Sequence, residues 1–379
     1  MELRASILES IHDVDAEQWD RCCGPDDLLV SHRHLAALED SGVAGPENGF
    51  TSSHVVLRDA RHRVVAVAPA YLKSHNEGEM GVDMGLRLAH ERLVGSYFPK
   101  LQVEVPFTTF SGTRFLVRPN VDRTRAVCAL IGSLKQLAAD RGASSVQIAY
   151  LAPESGDPQI LRGLDMAISE SNTFVWRAGD DMSFSEYVAG MTGSRRQRIN
   201  RERRQVQSRG LDFRYFRGGG LQPEMASQFF DFYVSTFARH ANKPPLNMDY
   251  FRRVFETMPE SVDLSVSIEG NVWAGASMSI NGSSRGRALY WGQAGDIPNL
   301  HFEQFIYRSI ERGFVTGLDV VDFGGIGEHK GRRGLVLEPM AHAFWFTDAA
   351  MRVIAEKASQ HKCALAEAER VAERKHLEC

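Results

Sequence analysis

The chain has 379 residues, 43% hydrophobic and 24% charged, and a formal net charge of −4. Length predicts two domains rather than one, composition excludes a disordered or fibrous chain, and the mildly acidic balance excludes a surface basic all round, leaving room for local basic patches. The five cysteines contain no Cys-x-x-Cys pair and include the neighbours Cys22 and Cys23, so neither a disulfide framework nor a metal site is expected.

Short helices are expected over 16–22 and over 32–41, the second capped by Ser31. The apolar runs 54–57 and 64–72, separated by polar 58–63, predict a hairpin. Beyond it, Lys73, His75 and Glu79, then Tyr97 and Lys100 of Tyr97-Phe-Pro-Lys100, gather cations, a histidine and an acid beside strands, a set suited to holding an acceptor substrate. Solvated loops are the plainer reading. A helix follows over 123–141, with Val127, Leu130, Ile131, Leu134 and Leu137 on one face, and then a strand over 145–151.

The stretch 184–209 reads as a helical connector. Ser183 and Glu186 make a capping-box pattern, Phe184, Tyr187, Val188 and Met191 share a face, and Gly193 marks a bend. From Ser194 to Arg209 there are seven arginines and one acid, Glu202. Arg195, Arg196 and Arg198 suit a grip on a tRNA backbone, a diphosphate or an acidic carrier protein; the alternative is a basic connector with no ligand. The helical block 223–259 must break at Lys243-Pro-Pro245. A hairpin is expected over 263–268 and 272–280, a strand over 288–292, a helix over 300–314, a strand over 318–323 and a last helix over 348–373. Hairpin, helix and strand therefore occur twice in the same order, which predicts a mixed α/β fold in two halves. No run approaches the roughly eighteen apolar residues of a membrane span, and Met1 to Glu17 lacks the apolar core of a signal peptide, so a cytoplasmic address is expected.

Two stretches carry chemistry. Asp322 to Gly334 follows a strand, holds five glycines and sets Glu328, His329, Lys330 and Arg333 on one loop. Glycines allow close approach to a ligand, the bases suit a phosphate or carboxylate, and either Glu328 or His329 suits the role of proton acceptor. His301 and Glu303 open the helix that follows Trp291-Gly292, where free N–H groups favour anions. Their plainer roles are a helix cap and a dipole-stabilising acid.

Taken in series, Ser31-His-Arg-His-Leu35, Tyr71-Leu-Lys-Ser-His75, Tyr97-Phe-Pro-Lys100, Val105-Pro-Phe-Thr108, the arginine run, Tyr290-Trp-Gly292, Leu300-His-Phe-Glu303 and Gly327-Glu-His-Lys330 resemble the FemAB-like predicted N-acyltransferases. Residues 311–314 through 322–326 are also similar to the Fem peptidyltransferases, which add amino acids from aminoacyl-tRNA to cell-wall precursors. The resemblance implies an α/β (α+β mixed) fold of tandem GNAT domains, acyl-CoA N-acyltransferase-like, each a mixed twisted sheet flanked by helices. The expected division is 1–180 and 181–379, the second domain carrying the basic connecting helix. It further implies transfer of an acyl or aminoacyl group from an activated donor, an aminoacyl-tRNA or a carrier-protein or CoA thioester, to an amine of a small molecule or peptide. Neither a metal nor a bound cofactor is implied, and tRNA or an acyl carrier protein joins the expected partners. The leading catalytic candidates become Glu328, His329, His301 and Glu303; Trp291, Lys330 and Arg333 join the binding set. The Arg/Gln-x-x-Gly-x-Gly/Ala turn of ordinary GNAT enzymes is absent from 293–300, which argues against CoA. The competing expectation is a non-catalytic GNAT-fold protein that recognises muropeptide or nucleic acid.

Overall fold

The computed structural model describes residues 3–77, 81–239, 242–325 and 327–378; the side chains of Glu328 and of 376–378 are outside that description. Two compact units result, Met1–Asn172 with Pro339–Ala368, and Thr173–Glu338 with Glu369–Cys379. This division differs from a single cut at 180, because the strand Val336–Phe346 carries the chain back to the first unit. Its Ala341–Phe346 portion pairs with a strand almost 200 positions earlier, and local periodicity carries no trace of such a partner.

The first unit contains β1 (Arg4–Leu8), α1 (Ala16–Asp20), α2 (His32–Asp40), β2 (Phe50–Ser52), β3 (His54–Arg58), β4 (Val64–Ala68), β5 (Ala70–Lys73), α3 (Met84–Leu93), β6 (Lys100–Val103), β7 (Leu116–Val117), α4 (Arg123–Asp140), β8 (Ser145–Leu151) and α5 (Asp157–Arg162). β3 and β4 form the expected hairpin. The second apolar run is cut at Pro69, which has no N–H to give to a ladder. As a result β4 stays in a sheet of order β1-β3-β4-β7, while β5 joins another, whose order in this unit runs β2-β5-β6-β8 and on to the strand Ala341–Phe346. β5 and β6 are antiparallel, β6 and β8 parallel, and α4 makes the crossover that a parallel pair requires. The apolar stripe of α4 is buried as its spacing predicts, against Val55, Leu57, Leu101, Val146 and Ile148. Each such side chain contributes roughly 1.5–3 kcal/mol on burial.

The second unit begins at Thr173, within β9 (Ala167–Arg177), and the chain continues through α6 (Phe184–Ala189), α7 (Gly193–Gln207), β10 (Asp212–Phe216), α8 (Met225–Ala238), α9 (Met248–Thr257), β11 (Val262–Glu269), β12 (Val272–Asn281) and β13 (Arg285–Gln293). A π-turn, Phe302–Tyr307, leads into α10 (Arg308–Thr316) and β14 (Val320–Asp322); a 3-10 turn, Glu328–Arg333, precedes β15 (Val336–Phe346), which from Pro339 onward belongs, with α11 (Ala349–Glu378) as far as Ala368, to the first unit. The sheet order is β10-β11-β12-β13-β14-β9. β10 to β13 form an antiparallel meander, β13 and β14 are parallel, and β14 and β9 are antiparallel. Meander, helical crossover and parallel neighbour thus recur in both units, which is the order seen twice in the sequence.

The connector is two helices rather than one, with Gly190 ending α6. Ser183 Oγ accepts the Glu186 N–H at 3.3 Å and Glu186 Oε2 accepts that of Met182 at 2.8 Å, a capping arrangement of the expected kind. The diproline break separates α8 from α9, whose start is capped by Asn247.

Candidate active site

The parallel pair β13–β14 lasts for three residues, Arg285–Arg287 against Val320–Asp322. β13 then runs on to Gln293 while the other chain turns away at Gly324, whose φ is +77°. Helix α8 covers this part of β13: Thr236 Oγ1 donates to the Trp291 carbonyl at 2.9 Å, and Arg239 Nη2 to that of Gln293 at 3.0 Å. The close approach requires Gly292, where a Cβ would lie 2.0 Å from the Phe232 carbonyl oxygen.

Where the strands diverge, Trp291, His301 and His329 meet. The His301 ring stacks on Trp291 with centroids 4.3 Å apart and on Phe305 at 5.6 Å, and meets the edge of His329 at 5.7 Å. Burial, reinforced by His329, Lys330 and Arg333, holds the His301 pKa down at about 3. Burial first, then the charges of Arg333 and Lys330, lowers that of His329 as well. Both imidazoles are therefore neutral at pH 7. The Nε2 of His329 is buried and has no hydrogen-bond partner among the described residues. A buried polar atom of this kind calls for an explanation, and a ligand is one.

The loop holding His329 is fixed at many points. It lies between Gly327 and Gly334, with φ of +106° and +91°, and Tyr187 Oη donates to the Gly334 carbonyl at 2.8 Å. The Lys330 ammonium donates to the carbonyls of Phe323 and Gly324 at 2.5 and 3.2 Å, and burial lowers its pKa to about 8. Arg333 lies 3.3 Å over the Phe302 ring, donates to the His329 carbonyl at 2.8 Å and makes a bidentate pair with Glu202 at 2.8 and 3.0 Å. Tyr307 donates to the same Glu202 at 2.5 Å. The lone acid of the arginine run is thus a buried anchor for the loop, and Tyr307 completes it. Spacing held a signal for this: Ile199, Glu202 and Val206 share the buried side of α7.

The π-turn buries Glu303, Gln304, Phe305, Ile306 and Tyr307 in succession. Glu303 receives Arg203 at 3.1 Å on each oxygen and Arg308 at 2.8 Å. With two guanidinium groups on its carboxylate, Glu303 is placed to anchor the turn rather than to take a proton. Glu328 begins the 3-10 turn, and its side chain lies outside the described residues. Arg195 and Arg198 are half-buried, whereas Arg196 is exposed and donates to the Ala189 carbonyl at 2.9 Å.

The residues singled out in the first half lie in the first unit. Lys73 is in β5, fully buried, 3.4 Å over the Phe50 ring and bonded to the Asn48 carbonyl at 2.9 Å. His75 is half-buried and accepts the Glu77 N–H, while Glu79 lies outside the described residues. Tyr97 and Lys100 both donate to Asp83, at 2.5 and 2.8 Å, in a buried network completed by Gln147. The structure therefore gathers His301, His329, Trp291, Lys330, Arg333 and Glu303 in one place in the second unit. Lys73, Tyr97 and Lys100 are built into the interior of the first.

The family model for FemAB-like proteins of peptidoglycan biosynthesis/recognition matches residues 10–376. The chain belongs to the FemAB-like family. No curated protein sequence matches it. In structure it is similar to FemX, with a TM-score of 0.58 at 13% identity over 94% of this chain and all of that one. It is also similar to the C-terminal domain of a putative lysylphosphatidylglycerol synthetase from Agrobacterium fabrum, with a TM-score of 0.53 at 11% identity, over 91% of this chain and 95% of that one. L-PGS from Bacillus licheniformis gives 0.50 at 10% identity, over 84% and 94%. This FemAB-like chain has the mixed α/β fold that it shares with FemX. Among the described residues no helix is long and apolar enough to cross a membrane, and no group of three or more His, Cys, Asp or Glu is placed to hold a metal.

Proposed function

We propose that this chain is an amide-forming transferase that moves an acyl or aminoacyl group from an activated donor to an amine of a small molecule or peptide. His329 carries the reading: a neutral imidazole with a buried Nε2 that has no hydrogen-bond partner among the described residues, beside the Trp291–His301 stack at the divergence of two strands, in a FemAB-like chain. A neutral imidazole at that point is a proton acceptor. As the amine attacks the donor carbonyl, the new N–C bond forms and the ester C–O or thioester C–S bond breaks. The ammonium proton passes to His329 Nε2 and from there to the leaving oxygen or sulfur. Glu328, one residue earlier, is the second candidate base. Trp291 and His301 supply a flat neutral wall, and Lys330, Arg333 and Glu303 hold the loop and turn that position it. The activated donor is a cosubstrate, and no resident cofactor takes part.

The family's description supports a peptidoglycan precursor as the acceptor, and the name of the Agrobacterium relative supports an aminoacyl cargo. Arg195 and Arg198, half-buried on α7, are the residues for a tRNA or a carrier protein. A second reading, recognition without chemistry, is favoured by one observation: Glu303 and Arg333 are already engaged in internal ion pairs. The deciding experiment offers the pure chain charged tRNAs, carrier-bound acyl groups and CoA thioesters in parallel, with muropeptide and small amines as acceptors, and reads products by mass spectrometry. An acceptor heavier by one acyl or aminoacyl residue is expected, and ribonuclease abolishes it if tRNA is the donor. Binding of muropeptide with no product from any donor would establish the second reading.

A further inference from the structure

The second unit also holds a cavity of about 810 Å³ that shares no lining residue with the Trp291–His301–His329 cluster. Phe184, Val188, Phe314 and Val315 give it an apolar side. Four arginines, 196, 203, 308 and 312, give it a basic one. Three of these guanidinium groups are held in place by both an aromatic ring and a carboxylate. Arg203 lies 4.8 Å over Phe184, Arg308 4.2 Å over Phe213 and Arg312 5.4 Å over Tyr215. Glu303 and Glu311 serve the first two, and Asp263 the third at 2.8 Å. Arg196 has only the Ala189 carbonyl as a partner and no carboxylate among the described residues. Arg203, Arg308 and Arg312 thus share Glu303, Glu311 and Asp263, which leaves Arg196 as the lining guanidinium with no carboxylate partner among the described residues. Next to it, Asn200 and Arg203 are shared with a second hollow lined by Arg204 and Gln207, which extends the basic side along α7.

We infer that this cavity binds a small organic anion, a phosphate or carboxylate head on an apolar body. The volume suits a single small ligand. Guanidinium groups fixed in advance recognise an anionic head without the entropy cost of ordering long side chains. The apolar side separates this ligand from a polyanion. Met182 and Val315, at 83% and 75% exposure, leave bare hydrocarbon at the mouth that a nucleic-acid backbone would not cover and an apolar body would.

Binding is read without turnover, so the test stands apart from the transferase reading. Calorimetric titration of the full chain with 1-naphthyl phosphate is compared with inorganic phosphate and with 1-naphthol. Saturable one-site binding is expected for the ester, with each half weaker by about tenfold or more. Arg196→Gln and Val315→Asp, both at exposed positions and checked for folding by circular dichroism, each weaken it by about tenfold. Three results overturn the inference: no saturable binding, equal affinity for inorganic phosphate and the ester, or wild-type affinity in Val315→Asp. If bulk tRNA or phosphatidylglycerol vesicles bind in its place, with a loss in Arg196→Gln and none in Val315→Asp, the face is a polyanion or membrane contact and the inference falls.

Discussion

Gly327 sets the position of His329. Its φ of +106° is a conformation that L side chains rarely adopt, and a Cβ there would lie 2.6 Å from His329 Cε1. Gly327→Ala is expected to cost about 1–3 kcal/mol in urea unfolding and to lower turnover by more than the stability loss explains, because the imidazole is displaced. The Glu202–Arg333 pair is a second test. Both residues are buried, at 5% and 4% exposure, so Arg333→Leu leaves a charge uncompensated and should cost about 3–5 kcal/mol. Glu202→Met added to Arg333→Leu should recover much of that in the same urea measurement. The loop's residues were legible in the sequence as a chemically dense stretch. Their anchor was not, since Glu202 and Arg333 stand 131 positions apart and an acid among arginines reads as a solvated charge. Tyr97 and Lys100 misled in the opposite sense: polar residues beside strands suggest a ligand, and Asp83, 14 and 17 positions away, occupies them instead.

Among the elements, those with a strong period were readable: α4, the β11–β12 hairpin and β8 lie where the apolar pattern puts them. Elements defined by distant partners were not, and β1, β9, β10 and β15 carry no decisive local signal. The π-turn is the instructive case. Five consecutive buried residues, two of them polar, fit neither the helical nor the strand period, and the extra residue per turn is what brings Glu303 to Arg203 and Tyr307 to Glu202. The contact of α8 with β13 gives this scale its prediction. Gly292→Ala puts a methyl 2.0 Å from a backbone carbonyl that cannot swing aside as a side chain would. It should destabilise by about 1–3 kcal/mol or more in thermal unfolding, by prising the helix from the strand.

For the whole molecule, each unit carries a histidine held neutral, His342 in the first and His301 in the second, both lowered to about pH 3 chiefly by burial. His342, 1% exposed, accepts the Tyr150 N–H on Nδ1 and leaves Nε2 to Ser171 at 2.8 Å, a neutral tautomer. Unfolding returns such a group to an ordinary value near 6.5. Between about pH 6.5 and 3 the unfolded chain therefore binds more protons, and stability falls as pH falls, by at most about 1.4 kcal/mol per unit for each group. Urea midpoints should drop from pH 7 to pH 5. His342→Asn, whose amide oxygen can take the Tyr150 N–H without titrating, should flatten that drop by its share. A midpoint independent of pH would deny the neutral histidines. The same sign governs catalysis, because an imidazole base works only while unprotonated. The most direct measurement is kcat/KM for amide formation from pH 5 to 8 in the wild type and in His329→Ala. The account predicts an acid limb in the wild type with its midpoint below 6.5, and in the variant a rate about 10²–10⁴ lower with that limb gone. A variant that keeps the wild-type rate and profile would contradict it.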